Sequence, residues 1–159
     1  IYWASYSSNG FANILNTSEM SVTPHSGSWA AWLGGANSET GAIWQSVTVP
    51  ASTPYLSFWY QIRSSDACGY DWATIWANST AIGSFDLCAS TARTYWQQWK
   101  INLTSYVGQT IAVQFQANTD SSYVSSFYVD DVSLTSAALV VDTEPDTNTA
   151  GPPENPQTR

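Results

Sequence analysis

The chain has few charged residues. They make up 10% of its 159 positions, against about a quarter in typical soluble proteins. Only four are Lys or Arg, and the formal net charge is −8. Contacts to phosphates need a basic surface, so this composition disfavours nucleic-acid binding. A surface covered by Ser, Thr, Asn and Gln is instead typical of extracellular β-proteins, which meet sugars, surfaces or neighbours through neutral groups.

Long apolar runs and helical periodicity are also missing. No apolar run approaches the roughly 20 residues that a membrane-spanning helix needs, so we expect no membrane span. No segment repeats its apolar residues at the helical spacing. No signal peptide is visible, and the chain starts at Ile1 rather than Met, which favours processing from a longer precursor.

Groups suited to catalysis are scarce. His25 is the only histidine, so any Ser-His-Asp scheme must use it, and its Pro-His-Ser-Gly turn favours a role in holding a loop. Glycoside hydrolysis needs a convergent carboxylate pair, but nothing places Glu19 and Glu39 together. One histidine and two paired cysteines also disfavour zinc. We therefore predict a protein that is not an enzyme.

Strand signals dominate the chain. Residues 54–63 alternate apolar and mixed side chains with the period of two that a strand requires. Further strands are predicted at 11–15, 28–33, 43–49, 71–77, 82–87, 96–103, 110–116 and 125–135. Turn residues separate these runs. About nine short strands at this spacing predict an all-β fold, a two-sheet antiparallel β-sandwich of the jelly-roll kind.

One strand reverses its own alternation. Within 125–135 the inward phase set by Phe127 and Val129 flips after Asp130 and Asp131. An extra residue in one strand produces such a flip. We therefore predict a β-bulge that re-aims a carboxylate.

The tryptophans fall into two groups by phase. One group alternates in a way that would fill a sandwich core: Trp29, Trp32, Trp72, Trp76 and Trp99. Trp44 and Trp96 fall on the outward phase. Exposed tryptophan favours contact with a ligand or a partner.

The only two cysteines are Cys68 and Cys88. Their midpoint is Asn78, in a turn-like Asn-Ser-Thr run, and an antiparallel hairpin turning there would set them nearly opposite each other. We therefore predict a disulfide rather than two free thiols, hence an oxidising compartment and a secreted or cell-surface protein. Three sequons are compatible with glycosylation: Asn16, Asn78 and Asn102.

The composition changes after residue 141. Residues 142–159 are acidic, rich in Pro and almost without apolar side chains. This composition predicts a linker or extended tail. Residues 1–141 then form one β-sandwich domain, long enough to bury a real core.

Four segments in order give the chain a family likeness. They are His-Ser-Gly-Ser-Trp-Ala-Ala-Trp-Leu-Gly-Gly at 25–35, Leu-Ser-Phe-Trp-Tyr at 56–60, residues 99–103, and Phe-Tyr-Val-Asp-Asp-Val-Ser-Leu at 127–134. From about residue 3 to 135 the chain resembles the MAM-like and galactose-binding-like jelly-roll domains, similar to carbohydrate-binding modules, of secreted bacterial surface proteins. Such domains usually begin with an extra strand, which this chain lacks.

The resemblance implies a non-catalytic accessory role, sugar or surface binding, and a structural Ca²⁺ near the first and last strands. Asp130 and Asp131 match the acidic pair of these domains and are the predicted metal ligands. A bulge with backbone carbonyls supplies the oxygen atoms that calcium needs. Turn chemistry or capping of backbone N–H groups is the other interpretation of this pair. Asp66 and Asp71, near the hairpin, are weaker alternatives for the metal.

A further prediction concerns one outward face. If their strands are neighbours, eight side chains form a plate of aromatics, amides and two cations: Tyr55, Trp59, Gln61, Arg63, Gln98, Lys100, Gln114 and Gln116. Aromatic faces stack on sugar C–H groups, and amides bond to hydroxyls. The plate therefore predicts ligand binding, with a plain solvated face or a subunit contact as alternatives.

Two functions follow from these observations. The first is an extracellular, non-catalytic binding or adhesion module that recognises carbohydrate or a cell-surface partner. The alternative is a self-assembling subunit of an extracellular filament or surface layer, joined by strand complementation between protomers. Self-association would use the sheet edge left open by the missing strand, or the tail.

Overall fold

The computed structural model describes residues 2–136 as two five-stranded antiparallel sheets packed face to face. One sheet contains, in spatial order, β1 (Ala4–Ser7), β4 (Thr40–Thr48), β9 (Thr110–Asn118), β6 (Trp72–Ala77) and β7 (Thr80–Asp86). The other contains β2 (Ile14–Asn16), β3 (Trp29–Gly34), β10 (Ser125–Thr135), β5 (Tyr55–Ser64) and β8 (Gln97–Asn102). We name them the β9 sheet and the β10 sheet after their central strands. The predicted all-β jelly-roll sandwich is confirmed.

The predicted boundary at residue 141 and the predicted tail at 142–159 lie outside the described residues. Within residues 2–136, no helix has the length and hydrophobicity needed to cross a membrane. A 3₁₀ turn at Thr104–Tyr106 connects β8 to β9.

The core lies between the sheets and is filled by alternate strand residues. On β5 the inward side chains are Leu56, Phe58, Tyr60 and Ile62, all buried, as the period-two pattern predicts. Phe58 meets Phe115 of the opposite sheet edge to face, with ring centroids 5.0 Å apart. Burial of this apolar surface is the main force that holds the layers together.

Each predicted strand has a counterpart, but the first strand of the fold was not predicted. Strand β1, with the sequence Ala-Ser-Tyr-Ser, has no apolar alternation and sits at a sheet edge. Strand β2 is also shorter than the predicted 11–15. Short edge strands bury little on either face, so their sequences carry a weak signal.

The hairpin predicted around Asn78 is confirmed. Strands β6 and β7 pair antiparallel on either side of it, and Asn78 has a φ of 54°, a left-handed conformation that Asn tolerates. Beyond the open end of the hairpin, Cys68 and Cys88 form a disulfide with their Cα atoms 4.9 Å apart. The bridge fixes the loops that flank the hairpin.

The predicted bulge in β10 is also confirmed. Its pairing with β5 shifts register between Asp130 and Ser133, and Asp131 has a φ of 48°. Pairing with β3 reaches only to Val129. Within residues 2–136, the segment 133–135 therefore pairs with β5 on one side and with no strand on the other.

The predicted core role is wrong for four of the five tryptophans. Trp72 and Trp76 point to the outer face of the β9 sheet, Trp32 is buried on the outer face of the β10 sheet, and Trp29 is 56% exposed. Trp99 has the inward phase but is still 39% exposed. Alternation shows which residues share a face, but not which face meets the other sheet.

Candidate functional site

The eight side chains predicted to form one plate lie on opposite faces of the sandwich. Strand β5 pairs with β8, so six of them share the outer face of the β10 sheet: Tyr55, Trp59, Gln61, Arg63, Gln98 and Lys100. Gln114 and Gln116 lie on β9, which pairs with β4 and β6 in the other sheet. The plate depended on the condition that β5, β8 and β9 are neighbours, and this condition is not met. Periodicity does not identify a strand's partners.

The loop at 17–28 covers much of the outer face of the β10 sheet. Val22 packs against Trp32 and Tyr128 in a second, smaller apolar core. The hydroxyls of Ser21 and Tyr128 are also hydrogen-bonded, 2.8 Å apart. The loop at 17–28 therefore packs on this face, which is not an open binding surface.

Two of the predicted plate residues are used to hold this loop and its neighbour. The imidazole of His25 stacks on the Trp59 ring, with centroids 4.0 Å apart. Gln61 is buried, and its amide donates to the carbonyl of Arg93 at 3.0 Å. A cavity of about 330 Å³ remains, lined by Ser21, Val22, Thr23, Pro24, His25, Gln61, Arg63, Thr94 and Trp96.

Asp130 and Asp131 anchor the loop from the bulge. The carboxylate of Asp131 lies 2.7 Å from Nδ1 of His25 and accepts the hydroxyl of Ser26 at 2.5 Å. The carboxylate of Asp130 accepts the backbone N–H groups of Ser26 and Asp131. All four carboxylate oxygens thus accept hydrogen bonds, which matches the turn interpretation. Calcium at this pair stays a prediction, and no unbonded carboxylate oxygen supports it.

The two carboxyl groups differ in their pKa shifts. Burial raises the pKa of Asp130 against the opposing hydrogen bonds from Ser26 and Asp131. Burial acts in the same direction at Asp131, but the hydrogen bonds from His25 and Ser26 and the charge of His25 together lower its pKa. Asp131 is therefore ionised at neutral pH and holds the loop by charge-assisted hydrogen bonds.

The outer face of the β9 sheet carries a row of large side chains across three strands. Gln114 of β9 lies directly between Trp44 of β4 and Trp76 of β6. Neighbouring strands are about 4.8 Å apart, so the two indoles project from backbones about 10 Å apart. Both are half-buried, and Trp72, at the start of β6 on the same face, is 40% exposed.

Hydrogen-bonded amides run along β9 beside these rings. Gln114 donates to Gln116, Gln116 donates to Asn118, and Asn118 donates to the hydroxyl of Thr40, at 2.8, 2.8 and 2.9 Å. Each bond fixes the orientation of an amide. Each amide group has more hydrogen-bonding positions than these bonds use, so the ladder presents oriented donors and acceptors to a ligand.

The three strands that form the row carry no charged side chain. Strands β4, β6 and β9 contain no Asp, Glu, Lys, Arg or His. The two cations of the predicted plate, Arg63 and Lys100, lie on the other sheet. A ligand on the row of Trp44, Gln114 and Trp76 therefore meets aromatic rings, amides and hydroxyls, and the carboxylate of Asp86 lies apart from it, at the end of edge strand β7.

The fold is similar to solved structures of binding domains. TmCBM61 in complex with β-1,4-galactotriose is 13% identical with a TM-score of 0.59, and the alignment covers 85% of this chain and 88% of that one. The K1 cleaved adhesin domain of Lys-gingipain from Porphyromonas gingivalis W83 is 13% identical with a TM-score of 0.59, over 86% and 91%. A structure of carbohydrate-binding modules from the β-sandwich superfamily is 17% identical with a TM-score of 0.52, over 82% and 55%.

These likenesses show a fold. No protein-family model and no curated protein matches the chain. The jelly-roll sandwich is thus shared with carbohydrate-binding modules and adhesin domains, whereas the function of this chain has to be argued from its own site.

Part of this face is predictable from the sequence. The alternation puts Gln114, Gln116 and Trp44 on the outward phase, whereas Trp76 was predicted to lie in the core. The missing information was register, because only the pairing of β4, β9 and β6 shows that Trp44, Gln114 and Trp76 form one row.

The three sequons all lie at turns or strand ends. In Asn16, Asn78 and Asn102 the amide oxygen accepts a backbone N–H. Glycosylation of the amide nitrogen stays a prediction.

Proposed function

We propose that the protein is an extracellular, non-catalytic module that binds neutral polysaccharide across the outer face of the β9 sheet. The observation that carries this proposal is the uncharged row formed by Trp44, Gln114 and Trp76. No other outward face within residues 2–136 combines two tryptophans with an amide ladder in adjacent strands.

The chemistry of the row suits a sugar chain. Indole faces stack on the C–H groups of sugar rings, and oriented amides exchange hydrogen bonds with hydroxyls. A neutral ligand desolvates no ion when it settles here, whereas an acidic polysaccharide would give up its hydration without gaining a cation. The ligand class is therefore neutral.

Two further observations support the proposal. A sandwich of similar fold has been solved with β-1,4-galactotriose bound, and another is an adhesin domain. The disulfide between Cys68 and Cys88 supports an oxidising, extracellular location.

Binding is tested by isothermal titration calorimetry with soluble neutral polysaccharides, including β-1,4-galactan. We expect Trp44→Ala and Trp76→Ala each to weaken binding by about fivefold or more, because a lost stacking contact costs about 1 kcal/mol beyond its buried area. Trp29→Ala, which removes an exposed tryptophan from elsewhere, is the matched control and leaves binding unchanged.

Two results would count against this face. One is that the wild-type protein binds none of the neutral polysaccharides tested. The other is binding that Arg63→Ala weakens and Trp44→Ala does not, since that pattern would move the site to the cavity on the β10 sheet.

We propose strand addition between protomers as a second function, on the observation of the open edge of β10. Val132 and Leu134 have the inward phase but stay half-buried, and the backbone at 133–135 has a strand on one side only within the described residues. Unpaired edges accept strands from other chains.

Light scattering tests this second function by measuring the size of the protein in solution. We expect oligomers that Ser133→Pro dissociates. A strictly monomeric wild-type protein would refute this function.

A further inference from the structure

Three aspartates from two loops converge at one end of the sandwich, away from both sheet faces described above. Asp66 and Asp71 lie in the loop between β5 and β6, and Asp120 lies in the loop between β9 and β10. One carboxylate oxygen of each lies within 4.8 Å of the others. Two oxygens that each lie about 2.4 Å from a calcium ion are at most about 4.8 Å apart, so the three can share one ion.

Two of these carboxylates are deeply buried and incompletely bonded. Asp66 is 5% exposed and Asp71 is fully buried. Oδ1 of Asp66 accepts the N–H of Ala67, and Oδ1 of Asp71 accepts the N–H of Asp120, both at 2.7 Å. Oδ2 of each, by contrast, is buried without a hydrogen-bond partner. Buried polar atoms normally have a partner, so this pair points to a group that is bound from outside the chain.

Among residues 2–136, no Lys or Arg forms a salt bridge with the cluster. The ion pair found within residues 2–136 joins His25 to Asp131, at the bulge of β10. Three carboxylates this close together repel one another unless a cation lies between them.

An opening leads from the cluster to solvent. A surface pocket of about 320 Å³ is lined by Asp66, Ala67, Tyr70, Asp120, Ser122 and Tyr123. It gives an ion a route in and leaves room for water molecules. Calcium takes six to eight oxygen ligands in flexible geometry, which suits three carboxylates supplemented by water.

We propose that Asp66, Asp71 and Asp120 bind a calcium ion that ties the β5–β6 loop to the β9–β10 loop. The loops belong to strands of both sheets, so the ion joins the two layers at this end. The site is separate from the Asp130 and Asp131 pair, whose oxygens hold the loop at 17–28.

The proposal is tested by titrating CaCl₂ into chelator-treated protein in a calorimeter and by thermal unfolding with and without the ion. We expect one calcium ion per chain and an increase in Tm on binding, because a ligand that binds the folded state alone stabilises it. Asp66→Asn and Asp71→Asn are expected to abolish binding. Asp120→Asn, at a half-buried position, is expected to weaken it at least tenfold while the protein remains folded.

Two carboxylates elsewhere serve as controls. Asp86 lies next to the disulfide and accepts the N–H of Gly69, so Asp86→Asn is expected to keep calcium binding. Asp130→Asn is expected to keep it as well. Near-ultraviolet circular dichroism tests whether each variant is folded. If Asp66→Asn and Asp71→Asn do not fold, the result for Asp120→Asn decides the test.

Three outcomes would overturn the proposal. The first is wild-type protein that shows neither binding heat nor a Tm increase with CaCl₂. The second is calcium binding that Asp130→Asn removes. The third is calcium affinity that is unchanged in folded Asp120→Asn.

Discussion

The side chain of His25 fixes a loop onto the outer face of the β10 sheet. Its ring stacks on Trp59 and its Nδ1 meets Asp131, so the loop at 17–28 is fixed onto the β10 sheet. We expect His25→Ala to lower the free energy of unfolding by about 1–3 kcal/mol, through loss of one hydrogen bond and one ring contact. Urea unfolding measures this change. His25→Phe is the control, because it keeps the stacking and should recover part of the loss; equal stability of His25→Ala and wild type would contradict the role.

The partner of His25 gives this contact a pH dependence. The pKa of Asp131 in the folded protein lies below its ordinary value of 3.8, so the folded state releases this proton more readily than the unfolded state. The stabilisation is therefore complete above pH 3.8 and disappears as the pH falls through the lower, folded value. We expect Asp131→Asn to be less stable than wild type at neutral pH. In urea unfolding at decreasing pH, the difference in unfolding free energy between wild type and Asp131→Asn should become smaller below pH 3.8. A difference that does not change with pH would contradict the stabilising role of the Asp131 carboxylate.

Some features of these residues could be predicted from the sequence, and others could not. The reversal of phase around Asp130 and Asp131 predicted the bulge, because alternation is a local property. The bonds that their carboxylates make to His25 and Ser26 connect residues more than 100 positions apart, and no local pattern carries such information. The Trp32 side chain shows the same limit, since a second apolar core outside the sandwich mimics the pattern of the first.

At the scale of elements, the β6–β7 hairpin and its disulfide form one unit. The bridge closes a loop with a sequence separation of 20 residues, and a crosslink over such a loop stabilises a fold by about 3 kcal/mol. We expect the double substitution of Cys68 and Cys88 by Ser to lower the unfolding free energy by about that amount. Reduction of the wild-type protein is the matched control and should give the same loss in urea unfolding. No loss in either experiment would show that the hairpin and its loops hold without the crosslink.

Strand positions were predictable, but strand partners were not. A buried strand such as β5 has a period-two pattern along its whole length, whereas the sheet order depends on contacts between segments far apart in the chain. Strand β9 lies in the sheet opposite β5, so the condition for the predicted plate is not met and its residues are divided between the two sheets. The candidate binding face became visible only when β4, β9 and β6 were placed together.

At the scale of the whole molecule, the charge and the candidate binding face are separated. The chain carries a formal net charge of −8, yet β4, β6 and β9 contribute none of it. Binding of a neutral polysaccharide there should therefore have the same affinity over a tenfold range of NaCl concentration, because screening acts only between charges. Calorimetric titration at each salt concentration measures this, with Lys100→Ala as a control that removes an outward cation from the opposite sheet and should leave affinity unchanged. An affinity that falls steeply with salt would mean that charged groups carry the binding, and would place the ligand on the β10 sheet, where Arg63 and Lys100 lie.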